Sequence, residues 1–331
     1  MKQNLIRLAG VVVLLGVLFA MLSRYDNAFS QSNIIDVLNR HGFLGILTVG
    51  AAILIIIGGI DLSMGSVVGL AAILFGVLME NGIHPWLAFA VTVACGPVIG
   101  SCHAVLVTQF KLQPFLVTLC GMFIYRGIAR GLTAKNTGLV QVRREHESFG
   151  SSIDTMRHLF IGKDEAGALN FPMMLVVLLV IAAILGVILH FTAYGRYWYA
   201  IGSNEKAAAY AGVRVDRQKW IVSMICSTLA AFAGVLYLLD AGSAAPDSVG
   251  SSMELYAITA AVLGGCSLRG GEGLMLGFVL GALVQPVIKN LMVFQGTSSA
   301  AEPWVMGSIL LVGTIADELI RRFSKSKSLT S

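Results

Sequence analysis

The sequence predicts an all-α fold: a polytopic transmembrane helical bundle of about ten helices, with broken or short segments among them. Three observations carry this. The 331 residues are 56% hydrophobic and 12% charged, against about 25% charged residues in an average soluble protein. Apolar runs recur along the whole length, and several reach the roughly 20 residues that a bilayer crossing requires. The Lys and Arg behind the net charge of +5 are gathered in a few loops, a distribution that membrane orientation demands and nucleic-acid binding does not.

The expected crossings run in chain order. Lys2 and Arg7 precede the apolar run 8–23, which lacks the small-residue cleavage site of a signal peptide and is read as a first helix near residues 5–23. Residues 41–59, 64–79, 85–110 and 114–133 supply four more. A long polar loop, 134–170, separates them from residues 171–193, 220–240, a short piece 254–266, 273–293 and 304–320. No stretch resembles a separate soluble domain, so residues 1–331 are expected to form one integral-membrane domain.

Cytoplasmic loops retain Lys and Arg. Three regions are enriched: the N-terminus; the loop with Arg196, Lys206, Arg214, Arg217 and Lys219; and the tail with Arg321, Arg322, Lys325 and Lys327. Starting inside, five crossings put residues 134–170 outside, the sixth returns the chain at Lys206, and the tenth returns the tail. Both termini are then cytoplasmic. Arg143 and Arg144 lie in the long outside loop beside Glu145, Glu147, Asp154, Asp164 and Glu165, and long loops weigh little in this rule.

The five cysteines, Cys95, Cys102, Cys120, Cys226 and Cys266, lack paired spacing and read as small buried packing residues. The six histidines, His41, His84, His103, His146, His158 and His190, show no metal-ligand spacing and read as packing or interface residues. No metal and no cofactor is expected. The phosphate-binding G-x-x-x-x-G-K-[ST] pattern is absent, so ATP hydrolysis is not expected on this chain.

Two Gly-rich stretches interrupt apolar sequence: Gly58-Gly59-Ile60-Asp61-Leu62-Ser63-Met64-Gly65-Ser66 and Gly264-Gly265-Cys266-Ser267-Leu268-Arg269-Gly270-Gly271-Glu272-Gly273. Both start Gly-Gly-x-x-Leu, and glycine admits backbone angles that break a helix. Irregular backbone at membrane depth survives only where protein or a water-filled path satisfies it, which favours transport over anchoring. Asp61 costs roughly 2.5–3.5 kcal/mol at a helix centre and needs partners. Backbone amides at the start of the next helix, or the hydroxyls of Ser63 and Ser66, answer that need. Asp61 is read either as a structural cap or as a solute ligand or gate.

Asn204 is placed to cap a short helix that begins at Glu205, runs through Ala207, Ala208 and Ala209, and stops at Gly212. Such a ridge, flanked by Arg214, Arg217 and Lys219, reads either as a docking element for a partner's groove or as a basic connector. Arg126 and Arg130 share one face of the fifth helix and either snorkel outward or face a pathway. Lys289 has the same two readings.

The Gly58–Ser66 stretch, Tyr199-Ala200-Ile201-Gly202-Ser203-Asn204 through Ala211-Gly212-Val213, Ala261-Val262-Leu263-Gly264-Gly265, and the 118–133 stretch with Gly121-Met122 and Arg126-Gly127 resemble the permeases of ribose, xylose and galactofuranose importers nearly end to end. Residues 266–269 and the loop 135–170 depart from that pattern. The resemblance implies a monosaccharide permease of the ATP-binding-cassette class, working with cytoplasmic ATP-binding subunits, a periplasmic sugar-binding protein and a second permease subunit in the bacterial inner membrane. It implies a pathway between the two permeases, and Asp61, Ser63, Ser66 and Arg126 are expected to be pathway or gate residues. It also implies a coupling segment at Asn204, Glu205, Ala208, Gly212 and Arg214. The alternatives are a branched-chain amino-acid permease of the same superfamily, an ion-coupled secondary transporter with a titratable acid at its centre, and a membrane enzyme.

Overall fold

The computed structural model describes residues 2–133, 139–141, 147–164 and 167–309, together with Leu311 and Ile315. Twelve α-helices order the described residues. They are α1 (Lys2–Leu22), α2 (Gln31–Ile56), α3 (Met64–Glu80), α4 (Pro85–Thr108), α5 (Pro114–Thr133), α6 (Glu147–Phe160), α7 (Met173–Phe191), α8 (Ala193–Ser203), α9 (Glu205–Tyr210), α10 (Val215–Ala241), α11 (Met253–Leu263) and α12 (Met275–Phe294). Two residues of β1 (Val140–Gln141) pair antiparallel with β2 (Ser243–Ala244). Residues 302–309 are again helical. Beyond them, the expected crossing 304–320 and its basic tail lie outside the described residues apart from Leu311 and Ile315, as do Arg143, Arg144, Glu145, His146 and Glu165.

Helices α2, α4, α5, α7, α10 and α12 are long and apolar enough to cross a membrane, and α3, α11 and the apolar part of α1 are shorter. The bundle is built around α2 and α10. Helix α2 is buried along nearly all of its apolar length, whereas α4 and α5 leave most of theirs uncovered. Uncovered apolar side chains such as Leu87, Phe123, Ile124 and Leu179 suit a lipid or subunit neighbour, since hydrocarbon rather than water surrounds a spanning helix.

Small residues let the central helices approach closely. At Gly96 and Gly100 of α4, an added Cβ would run into the α10 backbone at Thr228 and Met224. At Gly234 of α10 it would run into Val68 of α3.

The structure corrects three sequence expectations. Helix α2 begins at Gln31, not residue 41, because Ser30 caps it by accepting from Asn33 N at 3.4 Å. Two charges in its first turns, Asp36 and Arg40, pair with each other at 2.8 Å one turn apart. The loop 134–170 contains α6, an amphipathic helix that buries Ile153 and Met156 while Arg157 donates to Leu239 O at 3.0 Å. Of the five cysteines only Cys226 and Cys266 are buried. Cys102 and Cys120 are exposed on the outer faces of α4 and α5, where an apolar environment makes a thiol acceptable without burial in protein.

Because successive long helices alternate in direction, the loops sort to two ends. At one end lie the Gly58–Ser63 segment, the link between α4 and α5, the α8–α9 region and the Gly264–Gly273 segment. Contacts there include Gly271 N to Ile56 O at 2.8 Å and Lys111 to Asp216 at 3.6 Å. At the other end lie the β1–β2 pair and the ion pairs Lys163–Asp240 at 2.8 Å, Arg130–Asp247 at 2.6 Å and Lys289–Glu302 at 3.3 Å.

Candidate functional site

Helix α2 stops where glycine permits it. Gly58 has φ +90, its N–H bonds Ile55 O at 2.9 Å, and the N–H of Gly59 reaches back to Leu54 O at 2.9 Å. This pair of bonds around a left-handed residue is the Schellman ending, which satisfies carbonyls that the helix would otherwise leave open. The chain then runs irregularly through Ile60, Asp61 and Leu62 before α3. Thr118 of α5 accepts the N–H of Leu62 at 3.2 Å, so a neighbouring helix satisfies the broken backbone.

Asp61 is almost fully buried. Its Oδ1 accepts from Ser63 N at 2.7 Å and from Ser63 Oγ at 2.6 Å. Its Oδ2 faces Cys226 Sγ at 3.9 Å and His103 Nδ1 at 4.0 Å. On the far side of that imidazole, Nε2 lies 2.9 Å from the hydroxyl of Tyr125. The two short bonds to a carboxylate are charge-assisted and correspondingly strong. Ser66 is not a partner of Asp61, since its hydroxyl donates to Ser63 O at 2.7 Å and secures the first turn of α3.

A cavity of about 530 Å³ opens beside this cluster, lined among others by Gly58, Asp61, His103, Lys111, Thr118 and Glu205. It extends from the buried carboxylate to the start of α9. The cations at its rim are paired, Lys219 with Glu205 at 2.8 Å and Lys111 with Asp216 at 3.6 Å. Among the described residues, no group of three or more His, Cys, Asp and Glu is placed to hold a metal.

The second Gly-rich stretch closes the same end. Gly271 N bonds Ile56 O at 2.8 Å, and Tyr199 of α8 donates its hydroxyl to Gly273 O at 2.8 Å. Burial pushes the Tyr199 phenol up, so it stays a neutral donor. Gly202 is required by contact, because a Cβ there would overlap Ile56 O and crowd Gly271 N. The three stretches singled out in the sequence, around Gly58, Gly202 and Gly270, therefore meet at one place.

Helix α9 is built as its residues indicate. Asn204 Oδ1 accepts from Ala207 N at 3.0 Å, and the helix ends before Gly212 at φ +85. Val213 N returns to Ala208 O at 3.1 Å, again the Schellman pattern. Ala208 faces inward and is buried, while Ala207, Ala209 and above all Tyr210, 91% exposed, form the outer face. Arg214 stands directly before α10.

Arg126 is separated from this cavity. It lies eight residues beyond Thr118, about 12 Å along α5 at 1.5 Å per residue. There its guanidinium donates to Val249 O at 2.6 Å and Pro246 O at 3.3 Å, tying α5 to the loop ahead of α11, and Arg130 joins Asp247 of that loop. Sequence reasoning missed His103, Tyr125 and Cys226 as neighbours of Asp61. Each sits alone in an apolar helix, and no spacing links residues on three different helices.

The family described as branched-chain amino acid transport system / permease component matches residues 33–314. The ribose import permease protein RbsC of Bacillus subtilis (strain 168) is 33% identical over 325 residues, covering 96% of both chains. RbsC of Escherichia coli (strain K12) is 31% identical over 310 residues, 92% of each chain. The fructose import permease protein FruG of Bifidobacterium longum (strain NCC 2705) is 30% identical over 319 residues, 96% of this chain and 92% of FruG. No solved structure gives a significant match.

Proposed function

The chain belongs to the branched-chain amino acid transport system permease component family, and on that premise we propose that it is the membrane-spanning permease of an ATP-driven importer that carries a monosaccharide. Near full-length similarity to permeases named for ribose and fructose import supports the sugar reading over the amino-acid substrate of the family's description. ATP is hydrolysed on separate cytoplasmic subunits, a sugar-binding protein delivers the solute on the periplasmic side, and a second permease, identical or paralogous, completes the pathway.

The single observation that carries the mechanism is the meeting of the Asp61 break, Gly202 and the Gly264–Gly273 stretch beside α9. A partner pressing on the outer face of α9 is then mechanically linked, through Gly202 and Ile56, to the Asp61 segment. In this reading Asn204 and Gly212 shape the coupling helix, and Glu205 holds it to Lys219. Ala208 packs it against the bundle, Tyr210 faces the ATPase, and Arg214 adds charge beside it. Asp61 and Ser63 hold the break in the shape that opening requires, and Ser66 secures the start of α3. Arg126 ties α5 to the loop preceding α11, which packs on α3 at Gly65 and Gly69.

The end carrying α9 faces the cytoplasm, because α9, the link after it and the first turns of α10 hold Lys206, Arg214, Arg217 and Lys219. Single cysteines at Lys206 and Thr155, placed after removal of Cys102 and Cys120, test the sidedness. Labelling of position 155, and not 206, by an impermeant reagent on spheroplasts is expected, and the reverse pattern overturns the orientation.

Reconstituted with its ATPase and binding protein, the permease is expected to accumulate D-ribose or D-fructose with ATP. It is not expected to do so with a pH gradient alone or with neither. Gradient-driven uptake without ATP overturns the importer reading in favour of an ion-coupled transporter. ATP-driven uptake of L-leucine and of neither sugar overturns the substrate.

A further inference from the structure

A second cavity, about 460 Å³, opens at the end opposite α9, between α2, α10, α11, α12 and the helical residues 302–309. It shares no lining with the Asp61 cavity. One part of its wall is aromatic: Phe43, Tyr237 and Tyr256, with the rings of Phe43 and Tyr237 6.2 Å apart and inclined at 54°. The rest mixes the apolar Leu44, Met174, Met253 and Pro286 with polar residues, among them Asp36, Arg40, Asp240, Gln285, Lys289 and Glu302.

Each charge of the wall is paired, two of the acids within the wall and Asp240 with Lys163 outside it. Asp36 pairs with Arg40 at 2.8 Å, Asp240 with Lys163 at 2.8 Å and Glu302 with Lys289 at 3.3 Å, while Gln285 Nε2 donates to Glu302 Oε1 at 2.6 Å. An ionic ligand would meet a group of its own sign wherever it met the opposite one, and a zwitterion would have to break an existing pair. A neutral ligand rich in hydroxyls breaks none of them. Each ionised carboxylate has about four lone-pair sites, so Asp240 and Glu302 retain acceptor capacity beyond their present bonds. A tyrosine offers an apolar ring with a polar tip, which matches the C–H faces and hydroxyl rim of a sugar ring. The volume lies within the roughly 300–1,000 Å³ of small-molecule sites that combine aromatic walls with a few placed polar groups.

We propose that this cavity is a monosaccharide-binding site, in which Tyr237 and Tyr256 pack against the C–H faces of the sugar while Asp240, Gln285 and Glu302 bond its hydroxyls. The inference rests on the sugar reading above and adds a place for the solute, at the end of the bundle away from the coupling helix. The solute then occupies a polar site on one side of the membrane before the Asp61 segment on the other side is called upon to move.

Saturation-transfer NMR on the full chain in lipid nanodiscs tests it, with D-ribose, D-fructose and L-leucine as probes, alongside ATP-driven uptake by the complete complex. Saturation is expected on the ring protons of at least one sugar and not on leucine. It should weaken in Gln285→Leu, be lost in Tyr256→Ala and be retained in Tyr256→Phe. In uptake, Gln285→Leu should raise KM about fivefold with little change in kcat, the size expected for one or two lost hydrogen bonds. Monodisperse elution verifies the folding of each variant. If Tyr256→Ala fails that check, Gln285→Leu and Asp240→Asn decide the question. Unchanged saturation and KM in folded variants, with sugar uptake intact, overturn this site and leave the importer standing. Saturation and uptake of leucine alone overturn both.

Discussion

The two Gly-rich breaks look alike in sequence and work differently in the molecule. Each ends a helix with the same pair of bonds around a left-handed glycine: Gly58 at φ +90, and Gly265 at φ +92 with Cys266 N returning to Ala261 O at 2.9 Å. The left-handed residue is the first glycine of one Gly-Gly pair and the second of the other, so the shared Gly-Gly-x-x-Leu pattern is out of structural register by one residue. Counted from the left-handed glycine, Asp61 corresponds to Leu268. The surroundings of the two glycines diverge as well. A Cβ at Gly58 would meet nothing within 4 Å, and the segment after it is held by a buried carboxylate. The second break is held by close packing of Gly270 and Gly271 on Gly202, Ser203 and Ile56. One break is fixed by bonds to a charge, the other by the absence of side chains.

This contrast sets the order of expected effects. Gly202→Val should be the most severe, because its side chain must displace the Ile56 carbonyl and the Gly271 backbone. A destabilisation of about 3 kcal/mol or more is expected, read as loss of monodisperse protein and a lower unfolding temperature. A well-folded Gly202→Val protein would break the comparison.

Asp61→Asn should leave the protein inserted and monodisperse but cut ATP-driven uptake about tenfold, since bonds to a charged acceptor contribute roughly 1.5–3 kcal/mol. Uptake at the original level would remove the carboxylate from the account. Ser63→Ala, which deletes only the 2.6 Å hydroxyl bond, should fall between this variant and the native protein.

Gly58→Ala sharpens the comparison from the other side. It meets no atom and incurs only left-handed backbone strain, about 1–2 kcal/mol, visible as a modest shift in unfolding temperature. A collapse as complete as that of Gly202→Val would show that the first break is also fixed by packing.

The smallest effect on stability belongs to Tyr210→Ala, on the outer face of α9. Unfolding should move by no more than about 0.5 kcal/mol, as for most exposed positions, while stimulation of the partner ATPase by solute falls. Ala208→Arg does not isolate that contact, because Ala208 is buried against the bundle and the arginine would disturb the permease itself.

Much of the fold was legible because a membrane imposes a length and a composition on every crossing. Pro114–Thr133 agrees with expectation at both ends, and α3, α4, α7 and α12 agree within a few residues. The misses have local causes. The first turns of α2 carry Asp36 and Arg40 and so lie outside the charge-free apolar run, and α6 has a polar sequence whose apolar residues fall on only one face.

The amino-acid sequence by itself determined the all-helical bundle, the positions of its two breaks, and the capped helix from Asn204 to Gly212. Length, glycine and capping chemistry act within a few residues and leave a local trace. Tertiary structure alone decided that His103 and Cys226 stand beside Asp61, that Ser66 does not, that Ala208 turns inward, and that Arg126 bonds the loop preceding α11 instead of lining the cavity. It alone assembled the aromatic and polar wall around Tyr237 and Gln285. Those relations join residues on separate helices, and helix packing depends on shape and small-residue contacts that sequence spacing does not encode.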